Sequence, residues 1–315
     1  MLSSLHQRMT GAIASFDSRL SVQMGRSLIA LAQLSILLFT SWSSLTPDIV
    51  GQDISPHCVG VTRGSLFCLD RTPDELFARM GAVLVLLLVV SGFLPAVSGF
   101  LHAWVSFSLS TSIGLPDGGD AAAAVTTLMI AFLTLRDLQW NAWRHRPRAS
   151  SSRALDGVAW GSWWILRVQI AFIYFESGLS KFGTADWVNG SALYYVVRDP
   201  SFGASGMTGD VARALTEIPL GTAVLTWGTI ALEVAVGALL LGGPEARRVA
   251  LGLVIALHVG IIVFVGLWSF AVVMVGAVLV ATAPKRRSLH HHGRLPLPKT
   301  EADTATEHAL PISSG

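Results

Sequence analysis

RVQIAFIYFESGLSKFGTADW, residues 167–187, sets Arg167, Gln169, Glu176 and Lys181 into a stretch otherwise suited to hydrocarbon. Ionisable groups inside a bilayer are costly and are kept for a partner, a cavity or a reaction. At about 100° per residue, Arg167, Tyr174 and Lys181 recur every seven positions on nearly one face, with Gly178 beside them. Gln169 and Glu176 form a second stripe roughly 200° away, so no broad face is wholly apolar. Such a helix belongs inside a bundle, where its charges either pair with neighbouring helices or form a functional centre.

The rest of the chain gives that bundle. Of 315 residues, 52% are hydrophobic and only 13% charged, and mean hydropathy is +0.58. A soluble domain carries about 25% charged residues. The predicted fold is therefore all-α, a polytopic membrane bundle of about eight spans near residues 25–44, 76–94, 97–113, 121–135, 157–181, 221–242, 249–265 and 269–283. A span needs about 20 residues, so the fourth and the last two are short and must tilt, extend or sit partly buried. Residues 1–20 read as an amphipathic or flexible lead-in, 21–287 as the membrane domain, and 288–315 as a disordered tail rich in Pro, Thr, Glu and His.

Charge chooses eight spans over seven. Residues 249–283 are a nearly unbroken apolar run, and a turn near Gly266 returns the Lys285, Arg286, Arg287 cluster to the side of Arg247 and Arg248. Arg8, Arg19 and Arg26 at the first span, and Arg136, Arg144, Arg146, Arg148 and Arg153 between the fourth and fifth, then share that side. The positive-inside tendency makes it cytoplasmic, with both termini inside a multi-pass cell-membrane protein.

The outer side then holds the two cysteines, Cys58 and Cys68, in HCVGVTRGSLFC. A disulfide closing so short a loop would contribute roughly 3 kcal/mol, with free thiols or a transient redox pair as the alternatives. With only His57 beside them, no metal site is expected. Glu233 and His258 lie mid-span at a depth similar to Arg167, counted from the inner ends, so an Arg167–Glu233 pair with His258 nearby is expected. His102, nearer the inner end, reads as a hydrogen-bonded packing residue. Asp120 suits an N-cap for the alanine run that follows; alternatively Asp117 and Asp120 form an outer polar vestibule with Lys181. Lys181 itself is either an interfacial anchor or a partly desolvated base. Nucleotide-loop, serine-nucleophile and zinc-protease patterns are missing.

Residues 174–196, YFESGLSKFGTADWVNGSALYYV, resemble the signature of the HTTM superfamily, the membrane domain shared by vitamin K-dependent gamma-carboxylase and many bacterial proteins. Within it the similarity is closest to the sporulation-delaying protein B family. SLFCLD at the second cysteine, HAWVSFSLSTS from His102, PDGGD from Pro116 and HVGIIVFVGLWSF from His258 extend the resemblance over roughly residues 20–285. It implies that Lys181, followed by Asp186 and Trp187, stands where the carboxylase has the base that deprotonates vitamin K hydroquinone. The spacer here is one residue longer, and Ser180 replaces a second lysine. The carboxylase's large luminal domain has no counterpart in this sequence, so the resemblance implies the scaffold and not the carboxylation.

Three functions are expected from this: a membrane factor that matures or exports a secreted antimicrobial peptide, a quinone-dependent membrane enzyme, or a docking or immunity protein without chemistry. Under the first, the partners are membrane lipid, a peptide precursor and a small partner protein, and not nucleic acid. A quinone cofactor belongs only to the second.

Overall fold

The computed structural model describes residues 19–47, 56, 58–70, 72–114, 118–144, 152–200, 203 and 205–283. Most of the lead-in, His57, Asp117, Arg146, Arg148, the Lys285–Arg287 cluster and the tail lie outside the described residues. Among those described, eight helices build the body: α1 (Arg19–Phe39), α2 (Leu76–Val90), α3 (Pro95–Ser112), α4 (Gly118–Thr134), α5 (Arg153–Ser180), α6 (Pro219–Leu241), α7 (Pro244–Val265) and α8 (Trp268–Ala281). Shorter helices fill the connections, and the only bridge pair among the described residues joins Phe93 to Asn141.

Four of the eight, α1, α5, α6 and α7, are long and apolar enough to cross a bilayer; α2, α4 and α8 are apolar but shorter. Large apolar side chains such as Leu84, Phe172, Leu179 and Val259 face outward, as a lipid-facing surface requires. The brevity of α8 follows from its place. It is apolar all round and packs against α1, α4, α5 and α7, so Ala271, Met274, Ala277 and Val280 are buried. Gly25 and Gly276 let α1 and α8 touch: a Cβ on Gly25 would lie 2.5 Å from the Gly276 carbonyl oxygen, and one on Gly276 2.7 Å from that of Gly25.

Two elements differ from the sequence reading in informative ways. The run 249–283 does break at Gly266, whose φ of 82° closes α7 by donating its N–H to the carbonyls of Ile261 and Ile262. The second span stops at Val90, not residue 94. There the loop 140–144 replaces the helix's next turn: Leu94 N–H bonds the Trp140 carbonyl, Ala142 N–H that of Gly92, and Trp143 Nε1 that of Val90. The fifth helix starts at Arg153, ahead of the expected 157, because the Ser152 hydroxyl caps it by accepting from Leu155 N–H.

Cys58 and Cys68 are joined, with Cα atoms 5.6 Å apart. The closed loop is seated on the bundle. Phe67 stacks on Trp42 at 4.8 Å, Trp104 Nε1 donates to the Gly64 carbonyl, and Leu66 N–H donates to the Ser108 hydroxyl. Asp70 then accepts from the amides of Thr72 and Ala78, capping the start of α2.

Candidate functional site

The α5–α6 contact places the charges. Gly178 and Gly237 sit where the helices come closest: a Cβ on Gly178 would lie 2.9 Å from Val234 Cγ2, and one on Gly237 3.0 Å from the Ala171 carbonyl. That proximity lets Lys181, in the single 3-10 turn after α5, fold back along the helix instead of snorkelling outward. Its Nζ donates to Glu233 Oε2 at 2.7 Å, to Ser177 Oγ at 3.0 Å and to the Ser177 carbonyl at 2.9 Å. The Ser177 hydroxyl in turn donates to Glu233 Oε1 at 3.1 Å. The Lys181 and Glu233 side chains keep only 16% and 11% exposure, and the Trp187 ring covers the ammonium at 5.0 Å. This is a shielded ion pair with every lysine proton used, at the end of the bundle that carries the disulfide.

The expected Arg167–Glu233 pair does not form. Arg167 instead donates from Nε to the Leu240 carbonyl at 2.6 Å and from Nη2 to the Gly242 carbonyl at 3.0 Å. It thereby satisfies orphan acceptors at the C-terminus of α6, where a cation is also favoured by the helix dipole. The faces of Trp163 and Trp164 lie 5.2 and 4.2 Å from its Cζ. Counting depth from the inner ends misplaced it because α5 is 28 residues long and begins beyond its neighbours. Seven residues of α6, about 10 Å of helix rise, separate Glu233 from Leu240.

His258 does approach α5, against Tyr174 at 6.3 Å and Phe270 at 5.5 Å, with its Nδ1 on the Val254 carbonyl. Tyr174 Oη and His258 Nε2 are both buried without a hydrogen-bond partner. Glu176, assigned by sequence to the same buried network, is exposed on the bundle's outer surface. Asp186 is exposed as well, and only Trp187 of that pair touches the lysine. Asp120 is not the cap of α4. The two glycines before it are already helical, which puts its buried carboxylate in the first turn. Lys181 engages Ser177, Glu233 and Trp187, not Asp120. Among the described residues no cluster of three or more His, Cys, Asp or Glu could hold a metal ion.

Of a second polar assembly the sequence reading gave only His102, which is buried and hydrogen-bonded to Gln33. Arg26, read there as one of the flanking charges, is 0% exposed. It donates to Ser98 Oγ at 2.9 Å and to the Pro95 carbonyl at 3.3 Å. Further along α1, the amide of Gln33 donates to Ser106 Oγ and its oxygen faces His102 Nε2 at 3.0 Å, while Gln23 donates to Ser27 and the Val89 carbonyl. The signal was available: Ser98, His102 and Ser106 recur every four residues, one face of α3, and Arg26 and Gln33 are seven apart on α1.

Comparison with known proteins places the chain in a family. The HTTM domain profile matches residues 127–284. The uncharacterized protein YitO of Bacillus subtilis (strain 168) is 31% identical over 264 residues, covering 83% of this chain and 84% of that one. The sporulation-delaying protein SdpB of the same organism is 27% identical over 264 residues, covering 84% and 81%. No solved structure matches.

Proposed function

The chain belongs to the HTTM-domain family, and from that premise we propose that it is a membrane factor for maturation or export of a secreted antimicrobial peptide. The observation that carries this reading is the shielded Lys181–Glu233–Ser177 cluster at the disulfide end, joined to the relationship with the sporulation-delaying protein. The eight helices cross the membrane, both termini lie on the cytoplasmic side, and the disulfide and the Lys181 site face outward.

The surroundings suit a peptide with an apolar segment and a charge. An apolar cleft of ≈ 230 Å³ lies between the Gly206–Glu217 helix, α6 and α7, lined by Leu215, Leu225, Thr229, Leu257 and Phe264. Thr229 stands one helical turn from Glu233. The pair itself does not line the cleft; a peptide whose apolar segment occupies the cleft would extend past Thr229 to bring a carboxylate to Lys181 or an amine to Glu233. Displacing either partner strands its charge in a low-dielectric site, so an uncharged end gains nothing there, whereas a charged end recovers the pairing of the partner that it meets.

The quinone reading has less support. Lys181 is held by the Glu233 carboxylate and by two Ser177 oxygens, so a quinone would have to displace these contacts to reach its nitrogen. In the reading proposed here the lysine acts electrostatically.

The deciding experiment is the mass and yield of the peptide secreted by cells with and without this chain. Loss of the mature mass, or accumulation of an unprocessed precursor, is expected on deletion. Unchanged mass and yield would remove the proposal and leave a docking or immunity role.

A further inference from the structure

At the opposite end of the bundle two buried arginines, Arg167 and Arg247, stand together, and among the described residues no acid pairs with either. Arg167 is 3% exposed and Arg247, on the first turn of α7, is 6% exposed. Both guanidiniums lie 5.2 Å from the centroid of the same indole, that of Trp163. Arg167 is occupied by the two carbonyls at the end of α6. Arg247 is not: its Nε and Nη1 are buried without any hydrogen-bond partner, and among the described residues neither arginine has a carboxylate within ion-pair distance. Like charges desolvated side by side repel; carbonyls and two indoles offset Arg167, whereas among the described residues Arg247 has only the Trp163 ring.

Depth identifies what would offset Arg247, which lies four residues past Gly243, the N-cap of α7 in the short α6–α7 turn. Trp160, Trp163 and Trp164 stand at the same end of α5, and indoles concentrate at the level of lipid headgroups. The anion present at that level is a phospholipid phosphate. Guanidinium is the side chain that binds phosphate best, and basic pockets between helices on one face of a membrane take up anionic headgroups.

We propose that Arg247, backed by Arg167 and walled by Trp163, binds the phosphate of an anionic phospholipid from the leaflet at this end. The site is independent of the Lys181 cluster, and its lipid anchors the α6–α7 turn to α5.

Native mass spectrometry of the full chain, purified from membranes and exposed to phosphatidylglycerol or phosphatidylcholine, reads retained lipid directly. The wild type is expected to retain phosphatidylglycerol about fivefold over phosphatidylcholine, the order of one arginine's attraction to anionic lipid. Arg247→Gln should lose that preference and Arg247→Lys should keep part of it. Thermal unfolding without added lipid checks that both variants are folded. An undiminished preference in a folded Arg247→Gln protein overturns the site. Inorganic phosphate that displaces phosphatidylglycerol in an Arg247-dependent manner overturns the lipid as its source.

Discussion

Lys181 and Glu233 hold each other's charge in a place where neither is comfortable alone. Removing one partner leaves the other uncompensated, so Lys181→Met or Glu233→Gln should each lower stability by about 3 kcal/mol, while the double variant costs less than the sum. Denaturant titration of the purified protein measures this, and additive losses would mean the pair does not couple. Function separates the roles further. Lys181→Arg keeps the cation but cannot act as a base, so an electrostatic site predicts that it restores peptide production where Lys181→Met does not, at equal membrane abundance. Arg167 belongs to a different account: Arg167→Met should cost about 2–3 kcal/mol through its charged hydrogen bonds to the end of α6. That loss should add to the Glu233→Gln loss, because the two do not meet. A pH dependence comes from the disulfide end. Burial alone would raise Asp70, but amides of Ala78, Thr72 and Phe77 and the Thr72 hydroxyl outweigh it and hold it below its ordinary 3.8. A carboxylate depressed in the fold stabilises above its unfolded pKa and stops doing so as pH falls through the folded one. Exchange protection at the Ala78 amide should therefore fall as pH drops through the acid side of that ordinary value, and Asp70→Asn should remove the trend.

Helix pairs fit through their glycines, and the glycines are not equivalent. Gly25→Ala or Gly276→Ala drives a methyl into the opposing backbone, so either should cost at least about 2 kcal/mol. Gly252, mid-α7 with open space where its Cβ would be, should tolerate alanine or gain up to about 1 kcal/mol. Equal effects at the three positions would contradict the α1–α8 contact. What could be read from the sequence divides along this line between element and pairing. The turn at Gly266 is legible because glycine and the charge balance both demand it. The helical face shared by Lys181, Tyr174 and Arg167 is legible because a period is local. Which group answers each charge is not. Arg167 found backbone carbonyls, which are the same in every sequence, and Glu233 was brought to Lys181 by the approach of Gly178 and Gly237. The end of α2 was hidden for the same reason, since the Trp140–Trp143 loop that closes it arrives from 50 residues away. Arg26 was mistaken for a flanking charge because positive-inside reasoning counts arginines near helix ends without asking which way they face.

For the molecule as a whole, reporters fused at Ser150 and after Gly315 should both report the cytoplasmic side, and a reporter within residues 60–64 the outside. An external C-terminus would undo the eight-helix crossing count. Arg26 carries a further consequence, for biosynthesis. An arginine at the centre of an isolated membrane helix costs about 2.5–3.5 kcal/mol, and Arg26, two turns into α1 with Gln23 and Gln33 on the same helix, bears part of that cost. Its acceptor Ser98 is 72 residues further along the chain, which at ~5–20 residues per second reaches the ribosome's active centre about 4–14 s later. During that interval α1 is a poor lipid-soluble helix, and it must shelter beside the insertion machinery until α3 arrives. Nascent chains arrested before α3 should crosslink to the insertion channel through α1, longer chains should not, and Arg26→Leu should release the short ones early.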